Sequence, residues 1–493
     1  MDDHLNTELI ANAFSRQAER GGLRDRLYLA VRQAILTGRL QPGSELPSSR
    51  ALAAELGVGR NTVVRAYEQL LAEGYLAGRP GSGTFVSDTI APDQGAVQRN
   101  VGRSAPVVLS RRGQDLLGGA ASSRLQAGAF VPGVPDISRF PFSIWRRLLA
   151  RHLRPEHRQL AQYGFGGYGP LKAALANYLA VTRMMACAPQ QLIIVNGTHQ
   201  ALDLAARLLA DPGDRAWMED PGYWGARNVL RASGLDVVPQ PVDAQGLAIR
   251  PGDRDRPPRL IFVSPSSQYP TGAVMSLERR LDLLDYAARN DAWIVEDDYD
   301  NEIRYHPQPL ASLFGLSAAQ RVIYVGTFSK VLYPGLRLAY MVVPPALVDA
   351  FTVGNTELYR EGRLAEQAAL AEFIEDGHFG AHIRRMRAIY HERLDTLRGV
   401  LHSELGGAAT CMGGHAGLHL PVRFEVPVDD RALSSQALQM GVICMPLSSY
   451  STGVDTRQAG MVLGFAPVPA ERIRAPAEIL VRLIERQLTS HRG

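Results

Sequence analysis

Val322-Ile323-Tyr324-Val325-Gly326-Thr327-Phe328-Ser329-Lys330 begins with four apolar residues that read as a buried strand, then a Gly-Thr turn, then an amine. Lysine is scarce in this chain. Of 53 Lys and Arg residues, only Lys172 and Lys330 are lysines, so arginine does the generic cationic work. A guanidinium stays charged and is no nucleophile, whereas a desolvated ammonium can lose its proton. Lys330 therefore stands where an amine has a specific use. Three more strand ends share its pattern. Leu192-Ile193-Ile194-Val195 runs into Asn196-Gly197-Thr198-His199. Leu260-Ile261-Phe262-Val263 runs into Ser264-Pro265-Ser266-Ser267-Gln268-Tyr269-Pro270-Thr271-Gly272. Trp293-Ile294-Val295 runs into Glu296-Asp297-Asp298-Tyr299-Asp300. Short apolar strands alternating with helical stretches from about residue 126 predict an α/β domain with a mostly parallel sheet. Ligands of such sheets bind beyond the carboxyl ends of the strands, so the four loops are expected to converge on one pocket.

An amine facing a carboxylate in a desolvated cleft is the arrangement for a Schiff base with an aldehyde. Pyridoxal phosphate needs, besides the lysine, a carboxylate for its ring nitrogen and donors for its phosphate. Asp297 is the candidate carboxylate. Gly197 and Thr198 open a helix whose free N–H groups suit a phosphate, and Thr327 and Arg337 are further donors. Lys172 falls on an amphipathic helical stretch and is expected to face solvent.

The amino-terminal part has a different character. Between Arg20 and Ser87, nine arginines meet five acids, whereas the rest of the chain nearly cancels its charge; a small basic segment suits a polyanion. Leu27, Val31, Ile35 and Leu36 recur at helical spacing up to Gly38. Pro47-Ser48-Ser49 offers a cap for a short helix carrying Leu52, Ala53 and Leu56. After Gly57 and Gly59, a helix starting at Arg60-Asn61-Thr62 is expected to bury Val63, Tyr67, Leu70 and Leu71. Two helices joined by a Gly-containing turn form a helix-turn-helix, and the Gly-rich run from Gly74 to Val86 reads as a two-stranded wing. The chain then divides into a DNA-binding domain at 14–88, a linker at 89–125 and a large domain at 126–493. The linker would reach roughly 30 Å if flexible. Its Arg99, Arg103, Arg111 and Arg112 read as solvated charges more readily than as DNA contacts.

Composition excludes other classes. With 46% apolar and 21% charged residues, the chain is neither collagen-like nor largely disordered, and its length provides two or three domains. The polar, acidic start is not that of a secretory leader, and no apolar run spans a bilayer. Cys187, Cys411 and Cys444 are isolated and form no metal motif, so free thiols in a cytoplasmic protein are expected.

These motifs carry a resemblance. Leu46-Pro47-Ser48-Ser49-Arg50, Arg60-Asn61-Thr62-Val63 and Gly81-Ser82-Gly83-Thr84-Phe85-Val86 resemble the winged helix-turn-helix of the GntR family. Glu219-Asp220-Pro221-Gly222-Tyr223, Glu296-Asp297-Asp298-Tyr299-Asp300 and Gly326-Thr327-Phe328-Ser329-Lys330 resemble the fold-type I aminotransferases. Their order is similar to the MocR subfamily of bacterial transcriptional regulators. The resemblance implies a Schiff base between Lys330 and pyridoxal phosphate, with Asp297 on the ring nitrogen and Tyr299 on the ring hydroxyl. It implies Tyr223 on the ring face and Gly197, Thr198, Thr327 and Arg337 on the phosphate. It places Arg50, Arg60, Asn61, Thr62 and Arg65 on double-stranded operator DNA, with Gly81 and Gly83 letting the wing backbone approach it. It further implies a cytoplasmic homodimer that senses pyridoxal phosphate itself, or an amine or amino-acid effector, through Lys330.

Two positions depart from the pattern. Ser267 stands where relatives often carry histidine. Val462 in Met461-Val462-Leu463-Gly464-Phe465 stands where aminotransferases place an arginine for the substrate carboxylate, with Arg457 nearby as a substitute. Without a bidentate clamp an amino acid is poorly oriented, which argues against an efficient aminotransferase. The alternative is an active aminotransferase with an appended DNA-binding domain.

Overall fold

The structure is a computed structural model that describes residues 2–15, 22–79, 83–88, 109–118, 127–305, 311–318, 320–453 and 458–490. Gly81, Arg99, Arg103 and Arg457, singled out above, lie outside the described residues. The chain divides into two compact units, Met1–Val108 and Leu109–Gly493.

The first unit contains α1 (Asp2–Ser15), α2 (Leu23–Leu36), β1 (Glu45–Leu46), α3 (Ser49–Leu56), α4 (Arg60–Ala72), β2 (Leu76–Arg79) and β3 (Gly83–Val86). Ser48 caps α3 by accepting from the Ala51 N–H at 3.2 Å, and Gly57 ends that helix in the left-handed region. The strands form an antiparallel sheet in the order β1-β3-β2. Leu27, Val31, Leu52, Val63, Tyr67 and Leu70 share one core. Leu71 departs from expectation: it is 37% exposed, because Tyr67 and Leu70 already fill the buried stripe of α4. Helix α1 is a second departure. Its Ile10 and Phe14, one turn apart, insert into the same core, and Asn6 donates to the Glu45 carbonyl at 2.9 Å. The reading of this unit as 14–88 omits the helix, although Leu5, Leu9, Ile10 and Phe14 recur along it at near-helical spacing.

The second unit opens with α5 (Arg111–Gly118), which lies inside the stretch read as a linker. Ser110 provides its cap, accepting from the Gly113 N–H at 3.2 Å. The sheet-forming part comprises α6 (Phe142–His152), α7 (Gly169–Arg183), β4 (Leu192–Val195), α8 (Thr198–Leu209), β5 (Arg215–Asp220), α9 (Trp224–Ala232), β6 (Asp236–Asp243), β7 (Gly246–Leu247), β8 (Leu260–Val263), α10 (Leu277–Arg289), β9 (Trp293–Asp298), β10 (Val322–Thr327) and β11 (Ala339–Val342). Helix α5 packs against α9. The strand order is β4-β11-β10-β9-β8-β5-β6-β7, with β10, β9, β8, β5 and β6 running parallel and β11 and β7 antiparallel to their neighbours. Side chains alternate across the sheet as a strand requires. Leu192 and Ile194 join the core under α6 and α7, while Ile193 and Val195 join the core under α8 and α9. Both faces are thus covered, which explains the continuously apolar strands.

Two long helices, α11 (His378–Leu405) and α12 (Ala470–Ser490), cover a second sheet of β12 (Ala409–Cys411), β13 (His419–Phe424), β14 (Met445–Pro446) and β15 (Gly460–Gly464), ordered β12-β13-β15-β14. No helix among the described residues is long and apolar enough to cross a membrane.

Lys172 departs from its expected place. It sits on α7 but is half-buried, and desolvation pulls its ammonium below the usual lysine range against the opposing effect of Glu361. Glu361 is fixed by the Gly167 N–H at 2.8 Å and by Asn355 at 2.6 Å. A segment nearly two hundred residues downstream therefore roofs a helix position that local periodicity leaves open.

Candidate cofactor and DNA-binding sites

The four predicted loops meet at the carboxyl ends of β4, β8, β9 and β10. They line a cavity of about 310 Å3 together with residues from the amino-terminal side of the unit and from the second sheet. Gly197, Thr198, Tyr223, Asp297, Tyr299, Thr327, Lys330 and Arg337 all face this one cavity. Parallel pairing of β9 and β10 sets Asp297 opposite Val325, so the carboxylate and the amine leave adjacent strand ends.

Lys330 Nζ donates to the Gly133 carbonyl at 2.8 Å. Gly133 has φ +71°, which favours glycine, and a Cβ there would lie 2.9 Å from Nζ and push the amine aside. Burial pulls the Lys330 ammonium down, opposed by Asp297 and Asp300. Asp297 is pushed up to about 7, first by burial and then by Asp298, against the pull of Lys330. Its Oδ1 is buried without a hydrogen-bond partner, and the buried hydroxyl of Tyr299, although beside Ser267 and Asp300, meets neither in good hydrogen-bond geometry. Two orphaned buried polar atoms in one cavity are a costly feature in an empty fold.

The far end of the cavity suits an anion. Gly197 holds φ +140° ahead of α8, and a Cβ there would lie 3.3 to 3.5 Å from the Arg337 guanidinium. A helix amino-terminus, a guanidinium and the Thr327 hydroxyl at the end of β10 thus converge. Tyr223 stands between the two ends, its hydroxyl 2.8 Å from His199 Nε2.

Behind the acid and amine lies a buried ion pair. Arg183 reaches Asp298 at 2.6 Å, and Tyr324 donates to the same oxygen at 2.5 Å. This pairing keeps one of three consecutive acids compensated while Asp297 turns to the cavity. Asp300 also lines the cavity, accepts from Ser267 at 3.2 Å, and is pushed up to about 8 by burial. Ser267, in place of the relatives' histidine, thus serves Asp300.

Several lining residues carried no sequence signal. His199 follows the Gly-Thr turn and was passed over. His419 opens β13 of the second sheet and Tyr450 ends a short turn of helix that follows β14, both more than eighty residues beyond the last cofactor motif; only their burial marks them.

In the first unit, Arg50, Arg60, Asn61 and Arg65 are exposed and Thr62 is half-buried, all near the starts of α3 and α4. No described residue forms a salt bridge with Arg50, Arg60 or Arg65. Arg60 Nε donates weakly to Ser49 Oγ at 3.5 Å. Gly83, at φ +119°, opens β3.

Residues 142–460 match the family described as "Aminotransferase class I and II", and residues 23–86 match "Bacterial regulatory proteins, gntR family". The chain is 45% identical over 453 residues, 91% of each chain, to the probable rhizopine catabolism regulatory protein MocR of Rhizobium meliloti. The chain belongs to the MocR subfamily of GntR-type transcriptional regulators. A further relative in this subfamily arrangement is the HTH-type pyridoxine biosynthesis transcriptional regulator PdxR of Corynebacterium glutamicum, 30% identical over 90% of this chain and 92% of that one. Among solved structures, the α-aminoadipate aminotransferase LysN of Thermus thermophilus, complexed with N-(5'-phosphopyridoxyl)-L-leucine, matches with TM-score 0.67 and 26% identity. That match covers 77% of this chain and 96% of that one. As a MocR-type regulator, the chain joins a DNA-binding fold to an aminotransferase fold.

Proposed function

We propose that this regulator holds pyridoxal phosphate in the second unit and uses Lys330 to read a primary amine, thereby changing how the first unit engages operator DNA as a homodimer. The observation that carries the reading is the pair of orphaned atoms, Asp297 Oδ1 and the Tyr299 hydroxyl, in a cavity that also holds Lys330. Asp297 would take the ring nitrogen and Tyr299 the ring hydroxyl. Tyr223 would lie on the ring face, with Gly197, Thr198, Thr327 and Arg337 on the phosphate. When bound, the cofactor supplies an aldehyde carbon at which amines exchange. Desolvation favours the neutral, nucleophilic form of Lys330, and Gly133 fixes the direction of its Nζ. A ring cation beside Asp297 would draw its carboxyl to the charged form and repay the burial that now pushes it up.

On the DNA side, Arg50, Arg60, Asn61, Thr62 and Arg65 form the base- and phosphate-reading surface, with Gly83 in the wing. An effector changes this only through different affinities for two states of the protein. Titrating cofactor-free protein with pyridoxal phosphate should give the absorbance of a lysine-linked chromophore, and Lys330→Ala should remove it. Absorbance retained in Lys330→Ala would defeat the reading. The intact Lys330–Asp297 pair also favours a second reading, an active aminotransferase. Repeated turnover with an amino donor and a 2-oxo acid would establish it, whereas a single exchange supports the sensor.

A further inference from the structure

One wall of the cavity is built from neutral groups. Val462, fully buried in the middle of β15, packs with Leu447 and Tyr450, and Trp224, Tyr269 and Met445 close over them. Four of these six, Trp224, Tyr269, Met445 and Tyr450, line the cavity directly. The hydroxyls of Tyr269 and Tyr450 lie 2.9 Å apart in a hydrogen bond. One phenol proton is spent between them, which leaves one proton and free lone pairs for a third partner.

His419 adds a further neutral group. Its Nε2 lies 3.2 Å from the Pro270 carbonyl, which can only accept, so Nε2 carries the proton and Nδ1 is an acceptor. Burial, helped by Lys330, holds this imidazole down to about 4, so it stays uncharged at neutral pH. Among the described residues lining the cavity, the one guanidinium is Arg337, and it lies beside Gly197 at the anion end.

A carboxylate placed against this wall would lose its water and meet an uncharged phenol pair, an acceptor nitrogen and the carboxyl of Asp300. An unpaired buried charge is costly by several kcal/mol. A hydroxyl in the same place both donates and accepts, and sites built to hydrogen-bond a hydroxyl discriminate strongly for it. Resting on the reading that Lys330 and Asp297 hold pyridoxal phosphate, we propose that the effector is a primary amine without a carboxylate on its amine-bearing carbon, and with a hydroxyl-bearing body that engages Tyr269, Tyr450 and His419. Val462, at the place of an aminotransferase arginine, sets this selectivity by keeping the wall apolar behind the phenols.

The test uses the full chain freed of cofactor and two matched conjugates, measured by calorimetry. N-(5'-phosphopyridoxyl)-serinol and N-(5'-phosphopyridoxyl)-L-serine differ only in a hydroxymethyl group for a carboxylate. The serinol conjugate is expected to bind at least about tenfold tighter, or about 1.4 kcal/mol. Tyr450→Phe should narrow that ratio, and Val462→Arg should reverse it. Should Val462→Arg fail to fold, the wild-type ratio and Tyr450→Phe decide alone. Equal or tighter binding of the serine conjugate overturns the ligand class and leaves the cofactor reading standing, including the case where Arg457→Ala then abolishes that binding. Failure of both conjugates to bind overturns the cofactor reading and this inference with it.

Discussion

Asp297 provides a test in which stability and function should move in opposite directions. In the cofactor-free protein its carboxyl is buried, crowded by Asp298, and raised from 3.8 to about 7. A raised carboxyl means that the folded state holds its proton more tightly than the unfolded chain does. That contribution is fully present below pH 3.8 and is lost as pH rises towards 7, after which it stays lost. Between pH 5 and pH 8 the loss covers two units, at about 1.4 kcal/mol each, or about 2.7 kcal/mol as an upper bound. The value of about 7 already contains the pull of Lys330, and screening by solvent entering the cavity brings the loss to about 2 kcal/mol. Asp297→Asn removes the titration while keeping the shape. The difference in unfolding free energy between variant and wild type, both cofactor-free, should therefore grow by about 2 kcal/mol in favour of the variant from pH 5 to pH 8. Other buried acids such as Glu219 and Glu296 are common to both proteins and largely cancel in the difference. Denaturant titrations at the two pH values measure it. The same variant should bind pyridoxal phosphate about a hundredfold more weakly, because a buried ring cation loses its charged partner. A pH-independent difference would refute the desolvated carboxyl, and unchanged cofactor affinity would refute its role.

Other substitutions separate other parts of the structure. Gly133→Ala places a methyl 2.9 Å from Lys330 Nζ on a backbone with φ +71°, and should slow formation of the lysine-linked chromophore at least tenfold in stopped-flow absorbance. Arg183→Met strands Asp298 in the interior and should lower stability by about 3 to 5 kcal/mol in denaturant titrations. Arg60→Ala should weaken operator binding and, if Arg60 meets a phosphate, reduce the slope of log affinity against log salt by about one; fluorescence anisotropy across a salt series reads both. Unchanged affinity and slope for Arg50→Ala, Arg60→Ala and Arg65→Ala would remove α4 as the reading helix.

Strand ends were legible because a parallel sheet writes its ligand chemistry in short contiguous words. Leu192 to Val195 are apolar because both faces are covered, and the next residues must turn at the carboxyl edge, where Gly197 and Thr198 meet the cavity. The same logic exposed Asp297 and Lys330. Residues that reach the cavity from elsewhere were illegible. His419 lies on the second sheet and Tyr450 just after its strand β14, and nothing local distinguishes them from ordinary core residues. Lys172 misled in the opposite sense: helical periodicity sees one helix, whereas Glu361 covers it from a distant segment. Helix α5 was hidden because its leucines, Leu116 and Leu117, remain 46% and 64% exposed and leave no buried stripe.

The cavity draws its two ends from different bodies of packing. Gly197, Asp297, Thr327 and Lys330 hang from the large sheet, whose cores lie under α6 to α9. His419 opens β13 of the small sheet, and Tyr450, just after β14, packs with Val462 of β15 in a separate cluster. Substitutions in the small sheet can therefore exchange one ligand for another without disturbing the residues that grip the cofactor. A lineage of such proteins could diversify its signals at little risk to its chemistry, and an engineer seeking a sensor for a new amine would mutate the small sheet first.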